Sequence, residues 1–151
     1  MKISYNWLKD YINIDIPAIE LAKYLTEIGL EVGKVEQYQS IKGGLEGFVI
    51  GQVMTCKKHT NADKLSVTSV DIGNGKVLPI VCGAPNVAEG QKVVVATVGT
   101  IIYKGDEQFE IKKAKIRGEE SEGMICAEDE IGIGQSHDGI IVLPNDVKIG
   151  I

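Results

Sequence analysis

Two lysine-rich segments carry the side chains best placed to act on a partner. The first runs Lys57-Lys58-His59 and continues Asn61-Ala62-Asp63-Lys64-Leu65. Lys57, Lys58 and Lys64 read as point charges for phosphate oxygens, presented on a turn between two strands. His59 reads as a loop hydrogen-bonder rather than a base or a metal ligand, and Asn61 and Asp63 as turn caps. The second segment is Ile111-Lys112-Lys113-Ala114-Lys115-Ile116-Arg117-Gly118. As a strand it puts Lys113, Lys115 and Arg117 on one face and Ala114 and Ile116 on the other. Three like charges along one sheet face repel one another, and a polyanion would neutralise them. Ser121 follows closely and offers a hydroxyl to the same ligand. For both segments an ordinary solvated face is the competing reading.

Catalytic chemistry finds no footing. The G-x-S-x-G order is absent around Ser121. Gly83, in Ile80-Val81-Cys82-Gly83-Ala84-Pro85-Asn86-Val87, is isolated and makes no phosphate-cradling loop. Glu128-Asp129-Glu130 lacks the spacing of a calcium loop. Cys56, Cys82 and Cys126 are odd in number, form no C-x-x-C pair and read as reduced, mostly buried thiols. No catalytic residue and no metal ligand is therefore expected.

The elements that must position these residues are legible in outline. The chain has 151 residues, 44% hydrophobic and 25% charged, which fits a globular protein with a real core. Its net charge of −5 argues against generic nucleic-acid binding, but the distribution is uneven. Residues 41–117 hold 11 basic and 7 acidic side chains, a net of +4, between flanks of −2 and −7. One cationic face on an acidic molecule is the implication. No apolar run or leader-like start is present, so a cytoplasmic protein without membrane contact is expected.

Residues 1–40 read as helical with a short extended piece. Ser4 caps a short helix carrying Trp7, Leu8 and Tyr11. Pro17 opens a second helix whose Leu21, Leu25 and Ile28 form one apolar stripe, and Gly29 ends it. Leu30 to Val35 reads as extended. So short a piece cannot cover its own stripe, which must pack on the rest of this chain or on a segment outside it. Lys42-Gly43-Gly44 marks a boundary, giving segments 1–40 and 41–151. From Phe48 onward strands are expected at Phe48–Cys56, with a bend or bulge at Gly51, then Leu65–Ile72, Val77–Cys82, Lys92–Val98 and Ile111–Arg117. Shorter ones are expected at 123–127 and 139–143. Gly73-Asn74-Gly75 makes a hairpin turn. Mainly β structure in about 100 residues suggests an OB-fold Greek-key barrel with a small α/β N-terminal appendage. Aromatic residues are sparse there, namely Phe48, Tyr103 and Phe109, so shape and phosphate recognition of a folded RNA is favoured over stacking on single strands.

The same residues resemble a known family. Asn61-Ala62-Asp63-Lys64-Leu65, Val70-Asp71-Ile72-Gly73, Ile80 through Val87, Lys115-Ile116-Arg117-Gly118 and Ser121-Glu122-Gly123-Met124-Ile125-Cys126 resemble the EMAP-II-type tRNA-binding domain. Lys2-Ile3-Ser4-Tyr5-Asn6-Trp7-Leu8, Leu25-Thr26-Glu27-Ile28-Gly29-Leu30-Glu31-Val32 and His137-Asp138-Gly139-Ile140 resemble the N-terminal part of bacterial phenylalanyl-tRNA synthetase β subunits. Thr60 departs from the usual Pro, and Glu120 from a usual apolar residue. The resemblance implies an accessory tRNA-binding module of a larger ligase. That parent is an α₂β₂ enzyme with a catalytic α subunit, using ATP and Mg²⁺ to join phenylalanine to tRNA. No cofactor is implied for the fragment itself. Residues 1–40 would then be half of a discontinuous domain, which implies that Leu21, Leu25 and Ile28 are partly exposed in this chain or covered by a neighbouring molecule. The alternative is a structural, interdomain module of the same subunit with little tRNA contact.

Overall fold

The computed structural model describes residues 1–104 and 107–151. It divides into two compact units, Met1–Tyr38 and Gln39–Ile151.

In the first unit, helix α1 spans Tyr5–Lys9 and the Ser4 hydroxyl accepts from Trp7 N, as a cap should. Trp7 and Tyr11 meet edge-on at 5.1 Å, and the Tyr5 hydroxyl donates to Ile16 O. Helix α2 spans Ala18–Glu27 directly after Pro17. Gly29 takes φ +97° just past its end, the left-handed geometry that glycine adopts without strain. No residue of α2 is buried. Leu21 and Leu25 are half-buried and Ile28 is 74% exposed, as the uncovered stripe predicts. Residues 30–35 are not a strand: they pair with none among the described residues.

The second unit is an OB-like barrel. Strands β1 (Phe48–His59), β2 (Ala62–Asp71) and β3 (Val77–Cys82) form an antiparallel meander. The β2–β3 turn places Gly73, Asn74 and Gly75 all at positive φ, the requirement that selects those residues. Strand β4 (Lys92–Thr97) pairs with β1 on one side. On its other side it pairs with β9 (Gly123–Ile125) and β10 (Val142–Leu143). The ring closes where β3 meets the segment before β9. Glu122 N donates to Pro79 O at 2.8 Å, and Val81 N donates to the Ser121 hydroxyl at 3.1 Å. Inside lie Val53, Val70, Leu78, Ile80, Val93, Val95 and Ile125, the inward half of each strand's alternation. A second apolar cluster joins Ile102, Ile111, Cys126 and Ile131. Ile131 comes from the short helix α3 (Glu128–Ile131).

Two expectations for the barrel strands need correction, and one strand pair is added. Gly51 makes no bulge; the register shifts between Val53 and Thr55. Gly51 is there because a Cβ would lie 2.7 Å from Val70 Cγ1 and 3.1 Å from Val95 Cγ2. Ile111–Arg117 is not one strand. Only Ala114–Ile116 is extended, as β7, and it pairs with β8 (Glu119–Ser121) around an Arg117-Gly118 turn at φ +50° and +104°. An unanticipated pair, β5 (Ile101–Lys104) and β6 (Glu107–Glu110), precedes it.

All three thiols are free; Cys82 and Cys126 are buried and Cys56 is half-buried. Burial pushes the Cys126 thiol up to about 12 and raises Cys82 as well. At pH 8 a thiol reagent is therefore expected to titrate Cys56 alone in the folded chain, and all three only after denaturant. Rapid modification of Cys126 without denaturant would contradict a closed second core.

Candidate nucleic-acid interface

The first lysine-rich segment is a continuous hairpin rather than a long loop. Lys57 and Lys58 lie on β1 and Lys64 on β2, so only Thr60 and Asn61 remain as the turn. All three lysines are exposed. As neighbours on a strand, Lys57 and Lys58 project to opposite faces. Within residues 57–64 Asp63 is the single acidic side chain, leaving a net of +2.

The second segment is the β7–β8 hairpin, and its charges are balanced differently. Lys113 precedes β7 and forms an ion pair with Glu122. The hydrogen bond to Glu122 and its charge raise the Lys113 ammonium above its ordinary value. Lys115 stands opposite Glu120 in the antiparallel register, and Ile116 opposite Glu119. The expected row of three unopposed cations is thus faced by acidic partners on the next strand. Residues 112–122 hold four cations and three glutamates, a net of +1. Arg117, in the turn, leaves the strand's alternation altogether. The stronger positive field therefore lies over the first hairpin.

Ser121 belongs to the fold rather than to the surface. It is 3% exposed, accepts from Val81 N and donates to Gly123 O at 3.1 Å. Both bonds hold it inside the seam between β3 and the segment before β9.

The two hairpins are brought together by contacts that no local pattern announces. Buried His59 bonds through Nε2 to Ile116 O at 3.2 Å, while its Nδ1 accepts from Asn61 N at 3.0 Å. Arg117 Nη1 donates to Asn61 O at 3.3 Å. The tip carrying Lys57, Lys58 and Lys64 is thereby tied to the tip carrying Lys115 and Arg117. Elsewhere Asn86 performs a related service, exchanging two bonds with the backbone of Ile140. Tyr103 and Phe109 lie on neither hairpin, and Phe48 stands at the start of β1, the end away from the lysine-bearing tip. Phe48 packs on the second core and Tyr103 sits under Lys42 at 5.5 Å. The assembled face offers cations and hydrogen-bond donors and no stacking platform.

Residues 48–151 match the protein family described as "Putative tRNA binding domain". The chain belongs to this family. The tRNA-binding domain accounts for the barrel and both hairpins. Over 150 residues the chain is 67% identical to the phenylalanine–tRNA ligase β subunit of Bacteroides fragilis, covering 99% of this chain and 18% of that protein. It is 65% identical to the corresponding subunit of Bacteroides thetaiotaomicron over the same shares. The chain thus spans about a fifth of the length of these relatives. Among solved structures, a methionyl-tRNA-synthetase-related protein from Pyrococcus horikoshii superposes with a TM-score of 0.51 at 23% identity. The match covers 77% of this chain and 96% of that one, and it speaks for the fold. No helix among the described residues is long and apolar enough to cross a membrane.

Proposed function

We propose that this tRNA-binding domain is an accessory module of a phenylalanine–tRNA ligase β subunit that engages tRNA through phosphates on the face built by its two hairpins. The observation that carries this reading is the tie between the hairpin tips, which brings exposed cations from distant parts of the chain next to one another, with Lys57 and Lys58 on opposite sides of the β1–β2 tip. The contact set is Lys57, Lys58, Lys64, Lys115 and Arg117, with Lys113 contributing less because Glu122 already neutralises it. The identity to the β subunits over nearly the whole chain supports the parent enzyme. That enzyme would supply the ATP- and Mg²⁺-dependent chemistry from a catalytic α subunit in an α₂β₂ assembly, in the cytoplasm. Residues 1–40 would be completed by a later part of the same subunit, a reading supported by the uncovered stripe on α2.

A structural, interdomain role for the barrel has one observation in its favour, the glutamates that face Lys113 and Lys115. A fluorescence-anisotropy titration with tRNA at two salt concentrations separates the readings. Phosphate contact predicts that log affinity falls steeply with log salt, with a slope of about −0.7 to −0.9 per contact. Absence of binding at high micromolar concentrations of the folded chain would favour the structural role.

A further inference from the structure

We propose that His59 is a positioning residue for tRNA, a neutral imidazole latch that locks the β7–β8 hairpin against the β1–β2 tip and so fixes the spacing of the cations; this rests on the reading of that face as the tRNA contact. The hydrogen-bond pattern defines the latch. Asn61 N–H can only donate, so His59 Nδ1 must carry a lone pair and its proton must sit on Nε2, where it donates to Ile116 O. Both ring nitrogens are consumed, and the side chain is 4% exposed. A buried imidazole satisfied in this way does not touch RNA. It acts on residues that do.

The latch matters because the β7–β8 hairpin is a two-stranded sheet of its own, bonded to β3 at the end of β8 through Ser121 and Glu122, while its Arg117-Gly118 turn lies at the other end. The Arg117–Asn61 bond, at 3.3 Å from an exposed guanidinium, competes directly with phosphate for the same donors. His59 does not compete. When RNA draws Arg117 away from Asn61, the His59–Ile116 bond still holds the hairpin in place. Without it, the hairpin would still be anchored to β3 at the end of β8, but ordering its Arg117-Gly118 tip would have to be offset by binding itself.

Two substitutions separate the bonds. In His59→Gln the side-chain amide N–H reaches the position of Nε2 and keeps the link to Ile116 O. In His59→Asn the amide oxygen sits near Nδ1 and keeps only the local link to Asn61 N. Both variants of the 151-residue chain are to be titrated with tRNA at low salt, with thermal midpoints measured alongside. His59→Gln is expected to bind within about threefold of wild type, and His59→Asn about tenfold more weakly with a salt slope reduced by one to two contacts. Equal affinities for the two variants, or losses that follow the thermal midpoints alone, would overturn the latch. A measurement on the wild-type chain guards against misfolded variants. Nitrogen chemical shifts of the His59 ring must report a proton on Nε2 in slow exchange, and a proton on Nδ1 rules the latch out. If wild-type chain itself fails to bind tRNA, the functional reading fails first, visibly in the control, and the positioning role falls with it.

Discussion

Replacing Lys57, Lys58 and Lys64 together by glutamate is expected to lower tRNA affinity by about 100-fold or more, the product of three charged contacts each worth about 1 kcal/mol or more. The argument rests on where the field lies. These lysines are exposed and held on paired strands, with one acidic side chain among residues 57–64. Their reversal takes that stretch from a net of +2 to −4. The salt slope should shrink by about 2 to 3, since three phosphate neutralisations are removed. Stability should change little, because exposed charges away from caps and cores usually contribute within about 0.5 kcal/mol each. The informative comparison is Lys113→Glu. Lys113 is already paired with Glu122, so its reversal should weaken binding far less. An unchanged affinity in the triple variant, with a wild type that binds, would move the contact face away from the β1–β2 tip.

A large stability effect is expected from Ile80→Ala. Ile80 is fully buried, lies in the barrel interior and stands on the strand that closes the ring. Large-to-small changes of this kind cost about 2 to 5 kcal/mol, more where the surroundings cannot collapse into the void. Here they cannot collapse easily. One edge of β3 is laddered to β2, and the other is bonded through Pro79 O and Val81 N to residues 121 and 122. The upper part of that range, about 4 kcal/mol, is therefore anticipated, together with a fall in thermal midpoint on the order of 15 °C. Measured by urea and thermal unfolding, a loss below about 1.5 kcal/mol would mean a loosely packed interior. Affinity for tRNA, measured well below the new midpoint, should be retained.

What could be read from the sequence was whatever is encoded locally. The meander β1–β2–β3 announced itself through alternating Val, Ile and Thr and through Gly73-Asn74-Gly75, because those residues answer to sheet and turn geometry wherever they occur. The Ser4 cap and the end of α2 at Gly29 were legible for the same reason. The β5–β6 pair was not. Its strands are four residues each, and β6 is exposed throughout. Its place comes from tertiary contacts, Ile102 packing into the second core and Lys104 pairing with Asp129 at 3.3 Å. In Ile111–Arg117 the alternation of cations suggested one strand, but the turn lay in view: Gly118 beside Arg117 supplies the positive φ that a two-residue hairpin loop needs. The site divided along the same line. Its lysines were visible as a composition. The bonds that unite them join residues 56 and 57 positions apart, and no spacing rule reaches so far. Ser121, by contrast, is an outward hydroxyl by residue type alone, and ring closure turns it inward.

The seam that closes the barrel sets an order of events. Joining residues 79–81 to residues 121–122 means closing a loop of some forty residues, with a small set of bonds to reward it. The β1–β2 and β2–β3 hairpins close over turns of a few residues and need no such search, so they form early and the ring shuts late. Only when it shuts does the β7–β8 hairpin arrive beside His59. A chain caught midway would carry its lysines but not the paired face. An RNA that recognises that face would bind the finished fold alone, and by mass action would pull late intermediates toward it.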